Sequence, residues 1–285
     1  MWPKPFATMC YRREGGDPMA IKLIAMDLDG TLLNSKKLIS ERNLKALQAA
    51  KARGVYITLA TGRMYMAAAY FGGLIGANAP LICCNGAHVQ AYDADQPVFM
   101  KLHDDNIAQE ILALCRQKDW YVQWYVGDQI YAIDFRPEMF ASYKTVAGFV
   151  VQAVGENYLP YVHDVIQIVV RDREGKVARI AGELKARFAG KIDVQQNTGY
   201  SVDLTPPGIT KAVGIEALRL HLGVARDEIM VCGDADNDLA MLEYAGLSVV
   251  TENGLPEAKA LADFVTASCD ADGVGRAIEK YILQI

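Results

Sequence analysis

Residues 21–31 read IKLIAMDLDGT, an apolar run that is followed at once by two aspartates and a glycine. Only Lys22 interrupts the apolar run, which predicts a strand buried on both faces of a parallel sheet. Asp27 and Asp29 would then stand beyond the carboxyl end of that strand, where open parallel sheets gather their functional groups. Gly30 lets the backbone approach a ligand closely. The alternative is an acidic turn with a helix cap, but a chance match to D-x-D-G-T is expected only on the order of a few times in a thousand chains of this length.

Strand and helix patterns alternate on either side of this stretch. In the first part the predicted strands lie at 21–26, 55–60 and 81–84, and the predicted helices at 41–53 and 64–74. Gly72 and Gly73 are expected to fray the end of the second helix. From residue 200 onward the predicted strands lie at 200–204, 228–232, 247–250 and 264–266, and the helices at 210–222, 236–244, 256–262 and 273–283. This alternation predicts an α/β fold with a Rossmann-like, doubly wound parallel sheet and helices on its faces.

The segment between these two parts follows a different pattern. Strands are predicted at 88–92 and 98–102 as a pair, at 121–126 and 129–135 around a Gly127–Asp128 turn, and at 165–170 and 192–195, with helices at 107–115 and 177–188. Successive strands with short turns favour an α+β domain with a mainly antiparallel sheet and helices on one side. We therefore predict a core domain of residues 19–86 and 200–285, with a second domain of residues 87–199 inserted into it.

The first 18 residues contain proline and glycine without a periodic pattern, and we expect residues 1–18 to form a poorly ordered tail. The tail is either a genuine extension or the product of a mis-assigned start, with Met19 as the alternative first residue. It lacks the apolar region of a signal peptide, and no run approaches the roughly 20 apolar residues of a membrane span. The sequence thus predicts a cytoplasmic protein with no membrane partner.

Composition narrows the classes of function. The 285 residues include 29 lysines and arginines against 34 aspartates and glutamates, a formal charge of −5, and 52% of them are apolar. The apolar content excludes a wholly disordered chain, and the mild acidity argues against a nucleic-acid partner, since such proteins usually carry a basic excess. The six cysteines include no CxxC pair, so a clustered zinc site is not expected. We expect a monomer or a small homo-oligomer.

Two further motifs follow predicted strands and open predicted helices. ATGR at residues 60–63 places the hydroxyl of Thr61 and the backbone amide of Gly62 at a helix N-terminus, where anions bind well. An ordinary strand-to-helix turn explains this motif equally well. GITK at residues 208–211 places Lys211 where its ammonium could hold a phosphate as a point charge. A solvated lysine in the first helical turn is the more common outcome of such a pattern.

The fourth motif, GDADND at residues 233–238, puts three carboxylates and an amide directly after the strand predicted at 228–232. Such an oxygen-rich group suits Mg²⁺. A calcium loop of the EF-hand kind would need a glycine at its sixth position and a glutamate at its twelfth. Counted from Asp234, these positions hold Leu239 and Ala245, so the calcium alternative fails.

Taken together, these motifs resemble those of haloacid dehalogenase superfamily phosphatases of the Cof-type subfamily, which carry an inserted αβ cap. DLDGT at 27–31, ATGR, GITK and GDADND stand where the four family motifs stand. NGA at 85–87 and DADGVGRAIEKY at 270–281 also resemble the family, and the match runs from about Met19 to the C-terminus. The resemblance implies hydrolysis of a small phosphate ester with Mg²⁺ as the cofactor.

The resemblance also implies roles for individual residues. Asp27 would be the nucleophile that forms an aspartyl-phosphate, and Asp29 the general acid and then the general base. The implied metal ligands are Asp27, the backbone carbonyl of Asp29, and Asp234. The implied phosphate-binding residues are Leu28 and Gly62 through their amides, Thr61, Lys211 and Asn237. Asp238 would orient this site without contacting the metal.

The substrate is the main open point. We favour sugar phosphates, with pyridoxal phosphate or flavin mononucleotide as further candidates. Two other functions stay open, namely a sugar phosphomutase and a weakly catalytic protein that binds a phosphorylated ligand, although a pure binder has no need for Asp29. One or two of the aromatic residues of the insert could stack on a substrate, out of Trp120, Tyr121, Trp124, Tyr125 and Tyr131. Residues 251–254 depart from the family pattern, and we expect Glu252 to alter specificity.

Overall fold

The computed structural model describes residues 20–139, 150–172, 175–198 and 200–285. The predicted tail at 1–18 and the alternative start at Met19 lie outside the described residues. The strands are β1 (Leu23–Met26), β2 (Tyr56–Leu59), β3 (Leu81–Cys83), β4 (His88–Gln90), β5 (Phe99–Met100), β6 (Tyr121–Val126), β7 (Gln129–Ala132), β8 (Val151–Ala153), β9 (Val165–Arg171), β10 (Asp193–Thr198), β11 (Ser201–Thr205), β12 (Ile229–Gly233), β13 (Leu247–Thr251) and β14 (Phe264–Thr266). The α-helices are α1 (Glu41–Ala52), α2 (Tyr65–Ile75), α3 (Asp105–Gln117), α4 (Val177–Arg187), α5 (Lys211–Leu222), α6 (Leu239–Tyr244), α7 (Pro256–Leu261) and α8 (Gly273–Ile278).

Five parallel strands form the central sheet, in the order β14-β13-β12-β1-β2. Alternate residues of β1 enter different layers: Ile24 packs in the cluster that contains α1 and α8, and Leu23 in the cluster that contains α5 and α6. The sheet is thus covered on both faces, which explains why the first strand is almost entirely apolar. The predicted α/β fold is confirmed.

The ends of α1 and α2 show how local sequence sets the helices. The Ser40 side chain accepts a hydrogen bond from the backbone amide of Asn43 and so caps α1. The predicted fraying at Gly72 is wrong, because α2 continues to Ile75 and ends at Gly76 in a left-handed conformation, with φ 64°. At Gly72 a Cβ atom would lie 3.0 Å from a methyl carbon of Leu81, so the glycine allows close packing of helix on strand.

The third predicted strand leaves the central sheet. β3 pairs with β4, and β4 pairs with β5, both antiparallel. The strand pairing of β3 with the central sheet is limited to an isolated bridge between Ala60 and Ile82. The reversal comes from Cys84, Asn85 and Gly86, whose φ values are 50°, 54° and 101°. Three successive left-handed residues turn the chain back on itself, so the next strand runs antiparallel. The pairing predicted between residues 88–92 and 98–102 is confirmed by β4 and β5.

A second sheet of six strands, in the order β10-β11-β9-β6-β7-β8, is antiparallel except between β7 and β8. The predicted hairpin is confirmed, since Val126 pairs with Gln129 across the turn. Helices α3 and α4 pack on one face of this sheet around Trp124. The strand predicted at 200–204 as part of the core sheet is wrongly placed, because β11 buries Val202 and Leu204 in the apolar core beneath α3 and α4. Among the described residues, no helix is long and apolar enough to cross a bilayer.

His103 lies in the segment that connects β5 with α3, and it is hydrogen-bonded to two strands of the six-stranded sheet. Its backbone amide donates to the carbonyl of Val165 at 2.8 Å, and its Nε2 donates to the carbonyl of Leu204 at 3.1 Å. The side chain is 5% exposed. Burial lowers the pKa of His103 to about 4, because the imidazolium form loses its hydration.

This shift predicts a proton-linked loss of stability. As the pH falls from 6.5 to 4, the unfolded chain binds the proton at residue 103 and the folded chain does not, so stability present above pH 6.5 is lost on acidification. Between pH 7 and pH 5 the wild type should lose about 2 kcal/mol more unfolding free energy than His103→Gln, which keeps the donor to Leu204. Guanidinium unfolding at both pH values measures this difference, with His163→Gln at an exposed site as the control. Equal losses in all three proteins would contradict the assignment.

Candidate active site

The loops that carry the four motifs meet at the carboxyl edge of the central sheet. The Asp27 amide donates to the carbonyl of Cys232 at 2.9 Å, and the Ala60 amide donates to the carbonyl of Met26 at 2.8 Å. These bonds align the ends of β1, β2 and β12, so that the residues following each strand face a common crevice. The ends of these three strands therefore lie together at one edge of the sheet.

Lys211, the first residue of α5, is fully buried at the centre of this crevice. Its Nζ donates to Asp27 Oδ1 and to Asp238 Oδ1, each at 2.6 Å. Burial disfavours the ammonium, but the carboxylates of Asp238 and Asp27 outweigh that effect and raise the pKa of Lys211 above its ordinary value. The side chain is thus a buried, ionised point charge, and the alternative of a solvated lysine is excluded by the structure.

Asp238 uses both of its carboxylate oxygens within the protein. Oδ1 accepts from Lys211, and Oδ2 accepts from the amides of Asp234 at 2.8 Å and Ala235 at 3.0 Å. This geometry requires a tight turn, and the helix predicted from residue 236 indeed begins with one turn of 3₁₀-helix before α6. Asp238 therefore holds the loop after β12 in place and leaves Asp234 to face the crevice.

Asp27, Asp234 and Asp238 each offer a carboxylate oxygen within 4.8 Å of the others. Burial raises the pKa of Asp27 to about 8, with Asp238 and Asp234 adding to the effect and Lys211 opposing it. Burial also raises the pKa of Asp234 to about 6, against a hydrogen bond of 2.6 Å from the Thr31 hydroxyl. Both carboxylates lack sufficient positive charge around them, and hard oxygen donors in this situation fit a divalent cation.

Close backbone approach at Gly30 is what brings Asp234 against the first motif. Gly30 has φ 90°, and a Cβ atom there would lie 2.9 Å from the carboxyl carbon of Asp234. The sequence predicted a close approach at this glycine, and the approaching group is the aspartate of the fourth motif. Asn253 Nδ2 donates to the Gly30 carbonyl at 2.7 Å, so the divergent loop 251–254 supports this turn. The expected effect of Glu252 on specificity stays a prediction.

Asp29 points to a pair of cations. Arg63 forms a two-pronged ion pair with it, Nε to Oδ2 at 2.8 Å and Nη2 to Oδ1 at 2.9 Å, and Lys37 Nζ lies 2.7 Å from Oδ1. Burial would raise the pKa of Asp29, but these cations outweigh it and lower the pKa to about 2. Asp29 is therefore ionised here. The ATGR motif gives no role to Arg63, and no sequence pattern singles out Lys37, whose left-handed backbone, φ 60°, follows a turn at Asn34.

Asn85, which belongs to the NGA motif at 85–87, contacts two of the predicted phosphate-binding residues, Asn237 and Thr61. Asn237 Nδ2 donates to Asn85 Oδ1 at 3.0 Å, and the Asn85 amide donates to the carbonyl of Thr61 at 3.0 Å. Asn85 Nδ2 in turn donates to Asp203 Oδ2, on β11, at 3.1 Å. An asparagine before a glycine at a strand end is a signal for a left-handed turn, and such a turn could have drawn attention to it.

The other predicted phosphate-binding residues on the loops after β1 and β2 are Thr61, Gly62 and Leu28. Thr61 is buried, and its hydroxyl accepts from the amide of Arg63 at 3.2 Å. The Gly62 carbonyl accepts from Gln167 Nε2 at 3.3 Å, which brings strand β9 onto the loop. The Leu28 side chain is buried in the core, so its backbone amide is the group that it can offer to a ligand.

Comparison with known proteins agrees with this geometry. Residues 24–278 match the haloacid dehalogenase-like hydrolase family, and the chain belongs to that family. It is 30% identical over 265 residues to the 5-amino-6-(5-phospho-D-ribitylamino)uracil phosphatase YitU of Bacillus subtilis (strain 168), with 91% of this chain and 97% of the relative covered. It is 28% identical over 276 residues to YcsE, a phosphatase of the same name from that organism, with 96% and 100% covered.

Solved structures resemble it as well. A haloacid dehalogenase-like hydrolase from Bacteroides thetaiotaomicron matches with a TM-score of 0.81 at 28% identity, covering 91% of this chain and 99% of that one. The chain is thus a phosphoric monoester hydrolase that acts on small phosphate esters. Phosphatases of this family generally use a divalent metal ion, and the cluster of three aspartates is compatible with one.

The contrast between Asp234 and Asp238 generates a prediction. In Asp238→Asn one carboxylate oxygen becomes an NH₂ group, which is a donor. This group must face either Lys211 or the two backbone amides, which are donors as well, so a hydrogen bond is lost whichever way the side chain turns. The unfolding free energy should therefore fall by about 2 kcal/mol or more. In Asp234→Asn an acceptor for Thr31 is kept and a repelling charge is removed, so stability without metal should change by less than about 1 kcal/mol.

Denaturant unfolding with and without Mg²⁺ measures both effects. Saturating Mg²⁺ should stabilise the wild type by mass action, and this gain should vanish in Asp234→Asn. Equal losses of stability in the two variants would show that Asp238 has no special positioning role.

Proposed function

We propose that the protein is a Mg²⁺-dependent phosphatase of small phosphorylated metabolites, with sugar phosphates as the favoured class, and that it works through an aspartyl-phosphate on Asp27. The observation that carries this proposal is the pair of contacts from buried Lys211 to Asp27 and Asp238 beside the Asp234 carboxylate. A nucleophilic carboxylate is of use against a dianionic ester only when positive charge is concentrated beside it.

Asp27 is placed to attack phosphorus. Its Oδ1 is held by Lys211 Nζ, which leaves Oδ2 as the attacking oxygen and keeps a cation next to the phosphoryl group during transfer. Mg²⁺, when bound by Asp27, Asp234 and the Asp29 carbonyl, would supply the further positive charge that reduces repulsion between the ester and these carboxylates. The amides of Leu28 and Gly62, the Thr61 hydroxyl and the Asn237 amide group would hold the phosphoryl oxygens.

Asp29 would transfer protons to the leaving oxygen and from the attacking water. Its side chain is 39% exposed, so it exchanges protons with water once it leaves Arg63 and Lys37. In its protonated form it would donate to the leaving oxygen, and the resulting carboxylate would take a proton from the water that attacks the phosphoryl group on Asp27. The ion pair with Arg63 is therefore the resting arrangement, and it stabilises the form of Asp29 that acts as a base.

The six-stranded sheet would serve as the cap that selects the substrate. Trp124 and Tyr131 are excluded as stacking residues, because Trp124 lies under α3 and α4, stacks on Tyr131, and donates from Nε1 to the Tyr161 carbonyl. Tyr125, by contrast, packs with the residues of the core. The names of the Bacillus subtilis relatives specify an aminouracil that carries a phosphorylated D-ribityl chain, and phosphate esters of sugar alcohols therefore join sugar phosphates as the first substrates to test.

Release of inorganic phosphate by the purified protein tests the proposal. A panel of sugar and sugar-alcohol phosphates should be hydrolysed in the presence of Mg²⁺, and exhaustive chelation should lower turnover at least 100-fold, because Asp27 and Asp234 then lack their shared cation. Restoring Mg²⁺ should restore turnover. Full activity after chelation would remove these residues from a metal site, and isomerisation of a sugar phosphate without release of phosphate would identify a mutase instead.

A further inference from the structure

The six-stranded sheet turns one face toward the catalytic crevice, and this face carries a row of polar side chains. Gln123 on β6 pairs with Val169 on β9, Val169 pairs with Asp203 on β11, and Asp203 pairs with Gln195 on β10. Paired residues project from the same face of a sheet, and so does Gln167, two residues before Val169. We call Gln123, Gln167 and Gln195 the glutamine row.

Two contacts locate the glutamine row against the crevice. Gln167 Nε2 donates to the carbonyl of Gly62, in the loop expected to hold phosphate, at 3.3 Å. Asp203, which stands between the strands of Gln123 and Gln195, accepts from Asn85 at 3.1 Å. The row therefore lies beside the position that the ester group of a bound phosphate would occupy.

Each member of the glutamine row has a buried side-chain oxygen, Oε1, with no hydrogen-bond partner among the described residues. Gln123 is 0% exposed and Gln167 is 1% exposed. The orientation of the Gln167 amide follows from its contact, because the group facing the Gly62 carbonyl must be the donor. A buried acceptor without a partner costs about 1–3 kcal/mol, and folded proteins keep few of them.

Three such oxygens on one face, beside a catalytic crevice, indicate that a ligand completes their hydrogen bonds. All three are acceptors, and the carboxylate of Asp203 stands among them. A ligand that matches these acceptors must bring donors, and beside Asp203 it must carry no negative charge of its own. Four strands at roughly 4.8 Å spacing spread the row over about 14 Å, which suits a leaving group of several carbons.

We propose that Gln123, Gln167 and Gln195 are specificity-determining residues that bind the leaving group of the phosphate ester. This leaving group is uncharged and carries several hydroxyl or amino donors, as a sugar or a sugar alcohol does. The proposal rests on the proposed function and adds to it the residues that read the substrate. Arg171 lies on the same face, two residues beyond Val169, and already has interactions within the protein.

Substitution by methionine tests the proposal, because methionine matches glutamine in length and lacks the acceptor. The variants are Gln123→Met and Gln195→Met, and the control is Gln152→Met, an exposed residue of β8 in the same sheet. The substrates are ribitol 5-phosphate, glucose 6-phosphate, phosphoglycolate, whose leaving group carries a carboxylate, and 4-nitrophenyl phosphate, whose leaving group carries no donor. The readout is the ratio of kcat/KM for each substrate to that for 4-nitrophenyl phosphate.

In the wild type this ratio should be higher for ribitol 5-phosphate or glucose 6-phosphate than for phosphoglycolate. Whichever of these two gives the higher ratio shows whether a sugar alcohol or a sugar supplies the hydroxyl donors. Gln123→Met and Gln195→Met should each lower that ratio roughly 10- to 100-fold, since donors of the leaving group are then left unpaired. Gln152→Met should leave it unchanged. Monodeoxy analogues, each lacking one hydroxyl of the preferred substrate, should be poorer substrates than the parent for the wild type. The loss should be smaller in the variant that lacks the acceptor of that hydroxyl, because the hydrogen bond is already absent there.

The outcomes separate this proposal from the proposed function. If the wild type releases phosphate from none of the four esters, the proposed function fails. If it releases phosphate but the ratios do not change in the variants, or fall equally in Gln152→Met, the glutamine row does not bind the leaving group. Preference for phosphoglycolate would also overturn the proposal. Gln195, on an edge strand, provides the test if Gln123→Met does not fold.

Discussion

The site is held together by the ion pairs that the buried ammonium of Lys211 forms with two carboxylates. A lysine with no exposed surface is stable only when carboxylates surround it, and here Asp27 and Asp238 do so at 2.6 Å each. Because Asp27 follows β1, Asp238 follows β12 and Lys211 begins α5, this one cation joins three loops. Asp238 then holds the amides of Asp234 and Ala235, and the position of Asp234 follows from that of Asp238.

The same cluster is compatible with a metal ion beside a phosphate in the crevice. Three aspartates face one lysine, and burial raises the pKa of Asp27 and of Asp234, so positive charge is lacking where a divalent ion would sit beside Asp27. Asp29 is in the opposite situation, since Arg63 and Lys37 hold it ionised. Two carboxylates two residues apart thus have opposite electrostatic surroundings, which suits the separate roles of nucleophile and proton carrier that we propose for Asp27 and Asp29.

Much of this site could be predicted from sequence, for a reason that lies in the sheet. Parallel strands bring their carboxyl ends to one edge, so motifs after β1, β2 and β12 had to meet. The features that could not be predicted depend on contacts between segments that are far apart in the chain. Val202 and Leu204 alternate with polar residues in β11, but this pattern cannot tell which of two sheets receives the strand. The turn at Asn85, the ion pair of Asp29 with Arg63 and the glutamine row depend likewise on contacts between residues far apart in the chain.

Chemical trapping tests whether Asp27 is the nucleophile. The protein is quenched in acid during turnover of a phosphate ester, reduced with borohydride, which converts an aspartyl-phosphate to homoserine, and analysed by peptide mass spectrometry. We expect homoserine at residue 27 alone, dependent on substrate and absent from Asp27→Asn. Reduction at residue 29, 234 or 238, or none at all while phosphate is being released, would contradict it.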